Sequence, residues 1–317
     1  MYELTIIGGG PAAIAAAVYA GRKRIKTALI TKDFGGQSIV SDDIQNWIGD
    51  LGVSGFELAK RFEAHVRAQE TVEVFQGEVV TQVESVGGEV PQGNFVVETG
   101  TGKKLETKTI LVASGSKRRR LGVPGEDEFD GKGVVFCSTC DAPLFKDKDV
   151  AVVGGGNAGL EAVVDLIPYA KKITLLIRGE ELKGDPITQE KVQSSAKVEV
   201  LFGAVTQEIK GDKMVQSLVY KDKKSDQTQE IAIGGVFIEI GAIPNSDFLG
   251  ELIERNSQNE IIVDHKTQTT SKKGIWAAGD VTDVLYKQNN ISAGDAVKGL
   301  LNIYDFLHKH TQTEAHK

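Results

Sequence analysis

Two glycine-rich turns, each set between an apolar run and a helical stretch, constrain the fold of this chain more than any other feature. Glu3 to Ile7 leads into Gly8-Gly9-Gly10-Pro11-Ala12-Ala13 and then Ile14 to Ala20. Asp149 to Val153 leads into Gly154-Gly155-Gly156-Asn157-Ala158-Gly159 and then Leu160 to Ile167. Second strands, Thr27 to Thr31 and Ile173 to Ile177, complete a βαβ unit in each case. In a Gly-x-Gly-x-x-Gly/Ala turn the first glycine makes the strand-to-helix bend. The second lets backbone approach a pyrophosphate at the positive helix N-terminus, and the third position keeps helix and strand close. Gly8, Gly10 and Ala13 fill these places first, and Gly154, Gly156 and Gly159 fill them again. One copy is compatible with a plain tight turn, whereas two copies in the same context predict two dinucleotide sites.

A length of 317 residues exceeds what one core usually supports, and 40% apolar residues suffice for two. Short β-rich runs, Phe95 to Thr99 and Ser217 to Lys221, follow the two units as antiparallel meanders. Each meander leads to an apolar strand and a glycine: Thr109 to Ala113 before Ser114-Gly115, and Gly235 to Ile240 before Gly241. No third unit follows. The chain gives Ile275 to Asp280 and a final amphipathic helix from about Ser292 to His308. The expected class is therefore α/β, with two Rossmann-like three-layer ββα domains and the second inserted into the first. The first domain would comprise 1–117 and 246–317, and the second 118–245.

The net charge of −7 is spread along the chain, which argues against a nucleic-acid partner. No run approaches the roughly 18 apolar residues of a membrane helix, and strand pattern starts at once with no leader, so the expected location is cytoplasmic without a membrane partner. The two cysteines both fall in Cys137-Ser138-Thr139-Cys140. In a reducing compartment such a pair suits redox chemistry better than a structural staple. A zinc site fails on ligand count, since there is no second cysteine pair and the five histidines lack ligand spacing. An inert turn stays open as the plain alternative.

Gly35-Gly36-Gln37, Asn46-Trp47-Ile48-Gly49, Ala113-Ser114-Gly115, Cys137 to Asp141, Gly241 to Asn245, Gly279-Asp280 and Lys287-Gln288 occur in the order seen in low-molecular-weight thioredoxin reductases, which the chain resembles over nearly its whole length. The stretch from Cys137 to Lys146, followed by Gly154 to Ala162, is most similar to the reductase part of the alkyl hydroperoxide reductase flavoproteins. The resemblance implies FAD in the first domain and NAD(P)H in the second. FAD would then be met by Gly8, Gly10, Pro11, Ala12, Asp33, Gly35, Gly36, Gln37, Asn46, Ala113, Gly115, Gly279, Asp280, Lys287 and Gln288. Taken alone, Asp280 is equally a helix N-cap, and Asp33 equally a surface turn.

For the nucleotide the expected contacts are Gly154, Gly156, Asn157 and Ala158, with Arg178 and Lys183 where cofactor choice is normally read. The acid expected for NADH is absent from the strand end, where Ile177 stands. NADPH is therefore the expected donor, with NADH the open alternative. The resemblance further implies that Cys140 faces the flavin, that Cys137 attacks a partner disulfide, and that Asp141 shuttles a proton. It implies a homodimer, and an external thioredoxin-like or glutaredoxin-like protein to take the electrons. The crossings near Lys117 to Arg120 and Pro244 to Asp247 would act as hinges, the basic run being either a solvated linker or a docking patch. Ser138 departs from the family, where a small apolar residue usually follows the first cysteine, as do Ala142 and Lys287. Three rivals remain: a dithiol oxidase, a ferredoxin-linked reductase of the same fold, and a non-catalytic flavin redox sensor.

Overall fold

The computed structural model describes residues 1–41, 43–88 and 93–314. They form two compact units, Met1–Lys117 with the chain from Ile243 onward, and Arg118–Ala242 between them. In chain order the first unit opens with β1 (Tyr2–Ile7), α1 (Pro11–Arg22), β2 (Thr27–Thr31), α2 (Gly55–Arg67), β3 (Val72–Gln76), β4 (Val80–Val86), β5 (Asn94–Thr99) and β6 (Lys104–Val112). After the short β7 (Ser116–Arg118), the inserted unit holds β8 (Val134–Val135), α3 (Ser138–Asp141), β9 (Asp149–Val153), α4 (Asn157–Leu166), β10 (Lys172–Ile177), α5 (Pro186–Ser194), β11 (Val198–Phe202), β12 (Ala204–Gly211), β13 (Val215–Asp222), β14 (Thr228–Ala232) and β15 (Gly235–Ile238). The chain returns through β16 (Ala242–Pro244) to β17 (Ile275–Ala277) and α6 (Asn289–Glu314).

In the first unit the sheet runs β3-β2-β1-β6-β5-β4, with β17 also pairing β6. All five residues of β2 are buried, as expected of a strand covered on both faces. Pro11 occupies the first turn of α1, where its missing N–H costs nothing. Ala13, Ala16, Ala17 and Ala20 of α1 are fully buried, so small side chains set a close helix-to-sheet approach. Ser54 caps α2 by accepting from the Glu57 N–H, with the acid in the first turn. Leu4, Ile6, Leu29, Leu111 and Leu300 fill the core, and the Trp276 indole N–H donates to Asn302 Oδ1 at 2.9 Å.

The inserted unit repeats the parallel sheet, here in the order β11-β10-β9-β15-β8, over a core that includes Val152, Leu160, Leu175 and Phe237. The meanders, however, are built differently. β6 is nine residues long and pairs with β1 and β17 through its C-terminal half while pairing antiparallel with β5 through its N-terminal half. The corresponding β15 has four residues, too short for both duties, and β12-β13-β14 form a separate three-stranded sheet. The second crossing comes at Ala242/Ile243, three residues before the position expected from sequence. Its reason is a clamp on Asn245, whose N–H donates to Gly115 O, whose Nδ2 donates to Ser114 O and whose backbone carbonyl accepts from Ser114 Oγ, tying this segment to the first unit.

In both parallel sheets the glycine turn leaves the strand beside which strand order reverses. Gly8 follows β1 next to the end of β6, and Gly154 follows β9 next to the end of β15. That crevice is where doubly wound sheets bind ligands.

Candidate active site: two dinucleotide cradles and a dithiol turn

In the first cradle Gly8 has φ of 133°, and a side chain there would strike the Ala113 carbonyl. A side chain at Gly9 would strike Thr31 and the Asp33 carbonyl. The Gly35 N–H donates to Gly9 O at 2.8 Å, and Gly36 lies so close that a Cβ on it would sit 3.1 Å from Gly10 Cα. The result is a floor of bare backbone before the N-terminus of α1, whose first N–H groups have no helical partners. A pyrophosphate fits such a floor because nothing but N–H groups meets it.

Other expected flavin residues gather around this floor. Gly279 packs on Ala12, and Asp280 accepts from Ser292 Oγ at 3.2 Å and from Gln37 Nε2 at 3.4 Å. Because α6 begins only at Asn289, Asp280 does not serve as its N-cap. Asn46 Nδ2 donates to Gln288 Oε1 at 3.3 Å, closing a loop pair beside the floor. Asp33 stands exposed just past β2, where a ribose hydroxyl is usually met. Lys287 is placed as a brace: its ammonium donates to Asp280 O at 3.2 Å and Thr282 O at 2.8 Å, and pairs with Glu260 at 2.9 Å.

The second cradle opens into a cavity of about 810 Å³, lined by Gly154, Gly156, Asn157, Ala158, Arg178 and Lys183 among others. Gly154 has φ of 143° and backs onto the Glu239 carbonyl, while a Cβ on Gly156 would meet no atom within 4 Å. The Lys183 N–H donates to Gly155 O at 2.8 Å, and the Asp185 N–H donates to Asn157 Oδ1 at 2.7 Å. These bonds anchor the loop after β10 beside the turn. The residues present fit a dinucleotide: a backbone floor, a helix N-terminus, and cations at the far end of the cavity.

Cys137 and Cys140 form a disulfide at the head of α3, with Cα atoms 5.4 Å apart. The Asp141 N–H donates to Cys137 O at 3.0 Å and closes the turn. Burial pushes the Asp141 carboxyl up to about 6, against the opposing pull of Arg118. Among the described residues no cluster could hold a metal, and His316 lies outside them.

Sequence reading did not single out several groups that the fold brings here. The basic run has a role beyond linker or docking patch: Arg119 and Arg120 line the cavity, and Arg118 acts on Asp141. Arg120 also pairs with Asp130 and stacks on Phe136. Lys223, from the turn between β13 and β14, reaches the cavity and donates to Arg178 O at 3.1 Å. Glu239 lines it too, and burial pushes this carboxyl up to about 7. No local motif marks Lys223 or Glu239. The departure at Ser138 was the available signal for what surrounds the redox turn.

The family model described as pyridine nucleotide-disulphide oxidoreductase matches residues 2–297. The chain is 41% identical over 307 residues to an alkyl hydroperoxide reductase of Escherichia coli, covering 96% of this chain and 58% of that protein. It is 38% identical over 306 residues to an NADH dehydrogenase of Bacillus subtilis, again covering 96% and 58%. The chain thus spans somewhat over half the length of these relatives. Among solved structures, thioredoxin reductase from Streptococcus pyogenes superposes with a TM-score of 0.89 at 34% identity, covering 98% of this chain and 99% of that one. With a family match over almost its full length, this chain belongs to the pyridine nucleotide-disulphide oxidoreductases.

Proposed function

We propose that the chain carries electrons from a nicotinamide dinucleotide in the second cradle, through FAD in the first, to the Cys137–Cys140 disulfide and on to a thioredoxin-like or glutaredoxin-like protein disulfide. The observation that carries this reading is the joining of disulfide, proton-exchanging Asp141 and open dinucleotide cavity in one inserted unit. Bound FAD supplies the two-electron step between nicotinamide and sulfur. The protein's share is to hold and orient. Gly8, Gly10 and Ala12 present N–H groups to one pyrophosphate at the helix that Pro11 opens, with Gly35, Gly36, Gln37, Ala113, Gly115, Gly279 and Asp280 around the rest of the cofactor. Gly154, Gly156, Asn157 and Ala158 do the same for the nucleotide. On opening of the disulfide, Asp141 exchanges the proton between thiol and thiolate, and the Cys137 thiolate goes on to attack the partner disulfide.

For the nucleotide, Arg178, Lys183 and Lys223 at the cavity support NADPH, while the name of the Bacillus relative favours NADH. Described helices include none long and apolar enough to cross a membrane, which supports a cytoplasmic enzyme. A homodimer is supported by Ile48, Leu51, Leu285 and Tyr286, all strongly exposed on loops that the Asn46–Gln288 bond draws together.

Anaerobic mixing with NADH and NADPH in parallel tests the reading: one should bleach the flavin within the mixing experiment, and added thioredoxin-like protein should restore its colour. In Cys137→Ser the bleaching should survive while protein-disulfide reduction falls by at least a thousandfold. A flavin that neither nucleotide bleaches but reduced ferredoxin does would overturn the proposed donor.

A further inference from the structure

Ser138 stands between the two cysteines, and the inserted unit holds it and Thr139 on one carboxylate. Its side chain is 7% exposed, and its Oγ donates to Asp165 Oδ2 at 2.8 Å. Thr139 Oγ1 donates to the same oxygen at 3.3 Å. Asp165 lies near the C-terminal end of α4, the helix whose N-terminus forms the second cradle. From another side the Ser138 backbone N–H faces the Glu239 carboxyl and favours its charged form. Glu239 directly follows β15, backs onto Gly154 and lines the dinucleotide cavity. A buried serine hydroxyl on a carboxylate is a costly way to fill a place where a small apolar side chain would pack, so the polar contact needs a purpose.

We propose that Asp165 and Glu239 are positioning residues for the redox turn: they pin Ser138, set the reduction potential of the Cys137–Cys140 pair, and tie it to the dinucleotide cavity. Reduction breaks the S–S bond, adds two electrons and creates two sulfur anions that must take up two protons. Negative carboxylates beside the turn oppose those anions and so hold the pair in its disulfide form. The charged groups acting on Glu239 are Arg118, Asp141 and Asp165, with Arg119, Arg178 and Lys183 also on the cavity wall. Arg118 offsets Asp141 and Glu239 together. Because burial raises the Glu239 carboxyl to about 7, its charge on the turn is present in alkaline solution and lost in acid.

The inference rests on the proposed redox role of the cysteine pair, and its test needs neither nucleotide nor protein partner. The flavin-loaded protein is equilibrated anaerobically with reduced and oxidised dithiothreitol, which supplies two electrons and two protons on closing to its cyclic disulfide. Alkylation then counts thiols at Cys137 and Cys140. Asp165→Asn should shift the equilibrium about tenfold towards the dithiol, a rise of about 30 mV. Glu239→Gln, which keeps the size and polarity of the side chain, should give a similar shift at pH 8.5 and none at pH 5.5. Were Asp165→Asn to fail to fold, the pH dependence of Glu239→Gln alone decides. Equilibria identical to the parent at both pH values, in variants that melt normally, would overturn the proposal. A parent disulfide that dithiothreitol cannot open would instead sink the redox reading beneath it.

Discussion

The two dinucleotide cradles follow one plan but differ in closure. In the first, Gly35 and Gly36 lie directly on Gly9 and Gly10, and a fully buried Ala13 takes the third motif place. In the second, Gly156 faces open space, and Gly159 is required because a Cβ there would collide with Gly154 O. A floor overlaid by a second loop suits a cofactor that stays, and a floor at the mouth of a cavity suits one that exchanges with each turnover. The redox pair and its carboxyl groups lie in the unit with the open cradle.

The largest expected effects test whether the cradles are independent. Gly8→Ala and Gly154→Ala each force a side chain against backbone at a positive φ, at a cost of about 3 kcal/mol or more. Gly8→Ala should purify colourless, whereas Gly154→Ala should keep its flavin absorbance yet no longer bleach with nucleotide. Loss of flavin from both would mean that the second unit helps hold the first cofactor.

A smaller effect separates the two units by pH. Between about pH 4 and 6 the folded Asp141 carboxyl retains a proton that the unfolded chain has released. Its contribution to stability therefore falls as pH rises across that window and levels off above it. Asp141→Asn should flatten this dependence by on the order of 1–2 kcal/mol in denaturant titrations at pH 4.5 and 7. An unchanged slope would show that the carboxyl titrates normally. The smallest structural effect is expected of Gly156→Ala, whose Cβ meets no protein atom. The melting temperature should stay within about 2 °C, while the nucleotide dissociation constant by fluorescence titration rises about tenfold. A large loss of stability would show that the second cradle is closed after all.

The sequence alone carried the glycine turns, the duplicated βαβ units, the insertion and the dithiol pair, because each depends on local geometry. A left-handed glycine at a strand end, or sulfurs three positions apart, have the same consequence in almost any surroundings. Tertiary structure alone decided what stands around them. Ser138 meets Asp165 across 27 residues, and Lys223 meets Arg178 across 45. Glu239 comes to the cavity beside Gly154 only because β15 pairs in register with β9, the strand that Gly154 follows. Strand register and helix packing set such contacts between distant segments, and a linear pattern of residue types does not contain them.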